Sequence, residues 1–426
     1  MPVDETTCTA ATAARLADIR AAAEAAVDKQ ATYGTDIDLA SFGEAAESDR
    51  VEAIESIDRQ MREVALRTGF VAEEKAERSA SFFQVDRTPI YEKVMEMYDG
   101  KVEVMGTEDA LARYGDEMVE KYWWRAVAPD KDKYTALVAL HQTEGYFIRV
   151  KAGQKVDKPI QACLFISENN ISQNVHNVII IEDGAEANVI TGCTIHPNVH
   201  EGLHAGISEF YVGCDAKLTF TMVHNWAEEF HVRPRTGIVC EDNGVYINNY
   251  VLLKPVRSLQ SFPVAELRGD GSKAVFNSIV NGLKDSNIDI GSETRLIGTG
   301  TRSEAIARTI GNDSSVIYSR GRLVGRNNDC KAHLDCRGIL FSENATMWAI
   351  PDLASEGAPG AELSHEAAIS PIAAEEIYYL QTRGLTRDEA VSAITRGFLD
   401  LEIPGLPPGL RRSIDNALEQ TAKEVM

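Results

Sequence analysis

Cys336, His365 and Glu366 are the side chains most able to do chemistry together. Cys336 ends the stretch DCKAHLDC, with Cys330 and His333 ahead of it, and His365 stands beside Glu366 in AELSHEAAIS. A histidine next to a carboxylate can be a general base with its orienting partner, a pair of metal ligands, or two solvated side chains. Glu366 follows Cys336 by 30 residues. A thiolate, an imidazole and a carboxylate brought together suit iron or zinc. Cys330 and His333 are possible further ligands. Three more histidines, His196, His200 and His204, cluster in IHPNVHEGLH and form a weaker candidate metal site.

Other chemistries lack their motifs. The chain has no G-x-x-x-x-G-K-[ST] phosphate loop and no G-x-G-x-x-G, so a nucleotide-driven step must come from a partner. It has no C-x-x-C, no H-E-x-x-H and no G-x-S-x-G.

The elements that must position these residues fall into three regions. Residues 1–130 read as an N-terminal helical region, with Ala-rich sequence near the start and apolar residues at three- and four-residue steps over 49–68 and 89–98. Glu108 and Asp109 suit a helix start. Residues 131–362 change texture: Val, Ile, Thr, Phe and Tyr alternate with polar residues in short runs broken by Gly, Asn and Asp. Aligning the small residue after each turn gives Ala185, Ala216, Gly244, Ser272, Thr301 and Asp329, spaced 31, 28, 28, 29 and 28 residues apart. Strands repeating at this period predict a solenoid with turn residues that tolerate positive φ.

Residues 363–426 read as helical again. Ser370–Pro371 is expected to open one helix that stops at Gly384, Thr386–Glu389 forms a capping box for a second, and 410–425 a last one. The predicted fold is therefore mainly β: a parallel β-helix core flanked by helical segments. A one-repeat offset would stack Glu366 over Cys336. Adjacent strand positions face opposite ways, so His365 and Glu366 are expected on a bend or loop.

Residues from GILFSENATMWAIPDLASEGAPGAELSHEAAIS through YYLQTRGL and EAVSAITRGF closely resemble the C-terminal part of the SufB/SufD family, scaffold components of the SUF iron–sulfur cluster assembly machinery. The resemblance runs back through LRGDGSKAVF, TMVHNW and ITGCT to about residue 130. It implies a parallel β-helix and a labile iron–sulfur cluster of undetermined type. By position, Cys336 matches the essential cluster-assembly thiol, and His365 and Glu366 match the His-Glu pair that holds the nascent cluster. Cys193 matches a thiol inside the β-helix that receives sulfur, and Trp226 a tryptophan on the interior path. His224 stands where SufB has glutamine. Ser364 replaces a further glutamate, and Thr236 a basic residue of the path.

The helices after Ser370 match the region that docks the SufC ATPase. The compact chain resembles minimal archaeal systems, which implies a homodimer with two ATPase subunits, a sulfur donor and apoprotein acceptors. On this reading the chain is a scaffold and not itself an enzyme, and binds no nucleotide.

Composition bounds the alternatives. The chain has 426 residues, 44% hydrophobic and 25% charged, with a formal charge of −22. That charge disfavours nucleic acid and anionic membranes as partners. No long apolar run or signal core is present, and the seven cysteines read as reduced thiols, so a cytoplasmic location is expected. Cys163, Cys214 and Cys240 are expected to pack between rungs, and Cys8 to be a free terminal thiol. The rivals are a SufD-like partner of the ATPase that binds no metal, and a carbohydrate-active β-helix enzyme, which would need an exposed groove with paired carboxylates.

Overall fold

The computed structural model describes residues 9–73 and 77–399. Cys8 and the helix expected over 410–425 lie outside them. The core is a stack of strands forming a β-solenoid of about eight turns. One sheet runs through Ile160–Ile166, Glu186–Ile195, Lys217–Asn225, Val245–Leu252, Lys273–Gly282, Thr301–Gly311, Cys330–Leu340 and Glu362–Ser370, each strand parallel to the next. A second, twelve-stranded sheet closes the other side.

The period read from the sequence corresponds to one rung. Gly184, Asp215, Asn243, Gly271 and Gly300 occupy successive corners, all with φ between 53° and 72°. Each sits just before an aligned small residue. Their N–H groups donate to the carbonyl of the next corner at 2.7–2.8 Å, so the ladder continues around the bend. Gly, Asn and Asp accept this left-handed conformation at least strain. The last step departs from expectation: Thr301 pairs with Cys330, not Asp329.

Side chains alternate between lumen and exterior. Val189, Phe220, Phe276 and Leu334 belong to one continuous interior cluster. Outside, Ile190, Val223, Val251 and Ile279 make an apolar ladder that Leu399 and Phe398 of the last described helix cover.

The N-terminal region is less helical than its spacing suggests. Helices α1 (Ala10–Glu24), α2 (Arg59–Leu66), α3 (Thr107–Lys121) and α4 (Lys133–Leu140) form, but the 89–98 segment does not. Thr88–Val94 is a strand paired antiparallel with Ala80–Val85, which joins the solenoid's first parallel strand. Pairing with an open sheet edge outweighs the helical spacing, and Pro89 is tolerated because this strand is the sheet's last.

At the other end the solenoid strand runs to Ser370, so Ser370 is no helix cap. Helix α5 (Ala374–Thr382) starts after Ala373, ends before Gly384 at φ 97°, and is followed by α6 (Arg387–Leu399). The capping box forms as expected: the Thr386 N–H donates to Glu389, and the Glu389 N–H to the Thr386 hydroxyl.

One carboxylate fastens the N-terminal helices to the core. Glu209 is fully buried and accepts backbone N–H groups from Trp124, Arg125, Ala126 and Val127 at 2.6–3.1 Å. It also meets His176 Nε2 at 2.8 Å, whose ring stacks on Trp123 at 3.8 Å. Glu209→Ala leaves four backbone donors, two of them buried, without their acceptor and should cost about 3 kcal/mol locally. Hydrogen exchange is expected to show lost protection at 124–127 while the Thr301–Gly311 strand keeps its own.

Candidate functional site

The last rung is open. The strands Thr346–Ser355 and Glu362–Ser370 each pair on one side only among the described residues, with Cys330–Leu340 beneath the second. Exposed apolar side chains gather at this end: Trp348 is 42% exposed, Leu353 41% and Ile369 36%.

Cys336 lies on the penultimate rung, facing the lumen and 7% exposed. Burial pushes its thiol up, offset in part by a hydrogen bond with Ser319 and by the nearby Arg308 guanidinium. His365 and Glu366 lie within a regular strand and not on a bend, because pairing with Cys330–Leu340 continues unbroken from Glu362 to Ser370. The rung spacing here is 31 residues: Cys336 pairs with Ala367, Leu334 with His365, and Asp335 with Glu366.

His365 therefore shares the lumen-facing side with Cys336, one alternate position away. Its Nε2 is buried with no hydrogen-bond partner. Glu366 faces the exterior and meets Arg337 at 3.0 Å. The expected stacking of Glu366 on Cys336 is thus off by one residue, and one residue reverses the face. Within one chain the structure brings together Cys336 and His365, and turns Glu366 away.

Cys330 and His333 do not join them. Cys330 is buried in the interior cluster, about 20 Å along the strand from Cys336. His333 points outward, and its Nδ1 shares a hydrogen bond of 2.8 Å with the Ser364 hydroxyl. The IHPNVHEGLH histidines are also separate: His196 bonds Gln60 at 3.1 Å, His200 is exposed, and His204 is buried in the lumen. Among the described residues no group of three or more His, Cys, Asp or Glu could hold a metal ion.

A second constellation lies deep in the solenoid. Cys193 is fully buried, and its thiol donates to Met222 Sδ at 3.5 Å. His224 pairs with Cys193 across one rung, and its Nδ1 shares a 2.9 Å hydrogen bond with Tyr250. His224 Nε2 and Trp226 Nε1 are buried without a partner. Trp226 lies 5.4 Å from His224 and 5.2 Å from His204, and stacks on Phe230 at 4.7 Å. Cys193, His224 and Trp226 thus come together in the interior.

Met222, His204 and Tyr250 join them; sequence reading missed Met222 and Tyr250 and grouped His204 with His196 and His200 instead. The repeat register held the signal: Met222 and Tyr250 fall on one inward column, while His204 comes from the opposite sheet. This cluster borders an internal cavity of about 50 Å³, counted as space for water centres, which Thr236 also lines.

Burial pushes the Cys193 thiol up, lowers His224 well below the usual imidazole range and brings His204 down to about 3. The His204 Nδ1–H donates to Gln173 Oε1 at 3.0 Å. The lumen therefore holds neutral thiol and neutral imidazoles at pH 7.

The comparisons place the chain in a family. Residues 164–398 match the model described as SUF system FeS cluster assembly, SufBD core domain. An iron-sulfur cluster assembly SufBD family protein of Methanothermobacter thermautotrophicus is 45% identical over 414 residues, covering 96% of this chain and 99% of the relative. One from Archaeoglobus fulgidus is 42% identical over 353 residues, covering 83% and 93%. The iron-sulfur cluster assembly protein SufB of Bacillus subtilis is 24% identical over 330 residues, covering 76% and 70%. The chain belongs to the SufBD family of SUF iron–sulfur cluster assembly proteins. No described helix is long and apolar enough to cross a membrane.

A histidine kept neutral by burial makes stability depend on pH. The unfolded chain binds a proton at His204 near pH 6.5, whereas the folded one resists it down to about 3. Stability from this group is complete above pH 6.5 and is lost as pH falls towards 3, by about 2 kcal/mol at pH 5. Denaturant unfolding at pH 7 and pH 5 should show that loss, and His204→Gln should reduce it.

Proposed function

We propose that the chain is a scaffold on which a labile iron–sulfur cluster is built between two copies of itself, with hydrolysis supplied by a SufC-type ATPase. The observation that carries this reading is the placement of Cys336 and His365 on one face at the solenoid's open end. Unpaired edge strands and exposed apolar side chains there suit a second copy, which would continue both sheets. Each copy then contributes one thiol and one imidazole. Glu366 joins from the outer face once Arg337 releases it.

The cluster is the cargo here, not a resident group. One thiolate per chain with harder nitrogen and oxygen donors holds iron less firmly than four thiolates do. Separating the copies would divide the ligand set and release the product. Helix α5 presents Tyr378 and Tyr379, 70% and 57% exposed, as the docking surface for the ATPase. Cys193 receives sulfur within the lumen, beside His224 and Trp226. A cytoplasmic location fits this work with reduced thiols.

A SufD-like role without iron is the second reading, favoured by Glu366 facing away and bonded to Arg337. Anaerobic reconstitution with iron and sulfide separates the two. Optical and Mössbauer spectra should show a cluster in the wild-type protein and a loss of at least tenfold in Cys336→Ser. An unchanged cluster in that variant would sink the proposed site. The double change Tyr378→Ala/Tyr379→Ala should weaken co-purification with the ATPase about tenfold, without altering reconstitution.

A further inference from the structure

The lumen beside Cys193 gathers soft donor atoms. The Cys193 thiol and Met222 Sδ already touch at 3.5 Å. His224 is the register partner of Cys193 on the next strand, so both side chains enter from the same wall. His224 is only 2% exposed, and its Nε2 is buried with no hydrogen-bond partner. Its Nδ1 is held by Tyr250 at 2.9 Å. With the proton on Nδ1 and donated to the Tyr250 oxygen, Nε2 presents a free lone pair. A hydrogen bond at the far ring nitrogen is the usual way to orient a metal-binding histidine. Burial keeps the ring uncharged, so that lone pair stays available.

A thiolate, a thioether and an imidazole together select a soft metal ion. Cysteine and histidine supply two donors here, and the thioether of Met222 makes the third. Two sulfurs each about 2.3 Å from one metal at a trigonal angle stand about 4 Å apart, so the present contact need open by only about half an ångström. Met222 can make that shift, because its side chain is unbranched and it is half-buried against the internal cavity.

Charge decides which soft metal fits. Cys163, on the preceding strand, faces the other way into the apolar cluster under α2, so Cys193 supplies a single thiolate. No Lys, Arg, Asp or Glu is among the residues lining the cavity. A divalent ion on one thiolate and two neutral donors keeps a positive charge that nothing nearby compensates, and burying that charge is costly. A monovalent ion forms a neutral complex.

We propose that Cys193, Met222 and His224 form a binding site for copper(I), a soft monovalent cation. The site is distinct from Cys336 and does not depend on the scaffold reading. Copper(I) arrives on a small thiol: RS–Cu and Cys193–SH give RSH and Cys193–S–Cu. One proton moves to the leaving thiolate, no oxidation state changes, and no net charge enters the lumen.

The test is anaerobic titration of the reduced, full-length protein with copper(I) held by bicinchoninate, read by the absorbance of that complex. The wild-type protein should take one tightly bound copper(I) per chain. Cys336→Ser should keep this site, and Cys193→Ser should lose it. Met222→Leu and His224→Gln change side-chain volume little, and each should weaken binding at least tenfold. X-ray absorption at the copper edge of the Cys336→Ser protein should show two sulfurs and one nitrogen, with one sulfur fewer once Met222→Leu is added. Zinc(II), titrated against a chromogenic chelator, should find no Cys193-dependent site.

Unchanged affinity in both Met222→Leu and His224→Gln, with melting temperatures near the wild type, would overturn the proposal in favour of capture by the thiol alone. A tight site lost in Cys336→Ser and kept in Cys193→Ser would refute it by placing the copper at the open end. Zinc(II) held at Cys193 as tightly as copper(I) would contradict the charge argument, and with it the choice of a monovalent ion.

Discussion

Hydrogen bonding between successive rungs decides where every functional side chain in this protein can be. Parallel strands stacked in register repeat the same inward and outward alternation from rung to rung. The corners keep that register because their left-handed residues let backbone pairing continue around the bend. Cys336 faces the lumen because Ala307, Ser278 and Tyr250 do, and Glu366 lies on the outer face because Asp335 does. The N-terminal helices add a separately fastened layer, pinned by the Glu209 carboxylate.

The same constraint divides the chemistry between two environments. The interior is dry enough to hold thiols and imidazoles neutral, which makes Cys193 a poor nucleophile at rest and a poor ligand for a hydrated ion. The open end offers the opposite: edge strands, exposed apolar residues and a thiol one rung below the surface. On the proposed reading, iron-binding groups that gather only when two copies meet would be suited to holding a product briefly. The outward chain of Arg308, Asp335, Arg337 and Glu366 runs across the exterior beside Phe398 of α6. It gives the C-terminal helices a physical link to the edge of the site.

Much of this was legible in the sequence. The repeat spacing marks the rungs, and the turn residues mark their corners. The cysteine, histidine and glutamate identified from residue types lie on the last two strands of one sheet. What spacing alone missed turned on single residues. An offset of 30 instead of 31 residues between Cys336 and its rung partner reverses the face assigned to Glu366. The strand Thr88–Val94 is invisible to helical spacing because a distant sheet edge stabilises it. Met222 and Tyr250 carry no motif, and their importance emerges only when the register lines them up with Cys336 and sets Met222 beside Cys193 on the neighbouring strand.

Locating iron by anomalous diffraction, in crystals of the anaerobically loaded protein, tests the central claim most directly. The account predicts iron at bonding distance from the Cys336 sulfur, at a junction where the open ends of two copies face each other. Iron confined to the lumen beside Cys193, or bound on the outer face near His333 with the open ends apart, would contradict it.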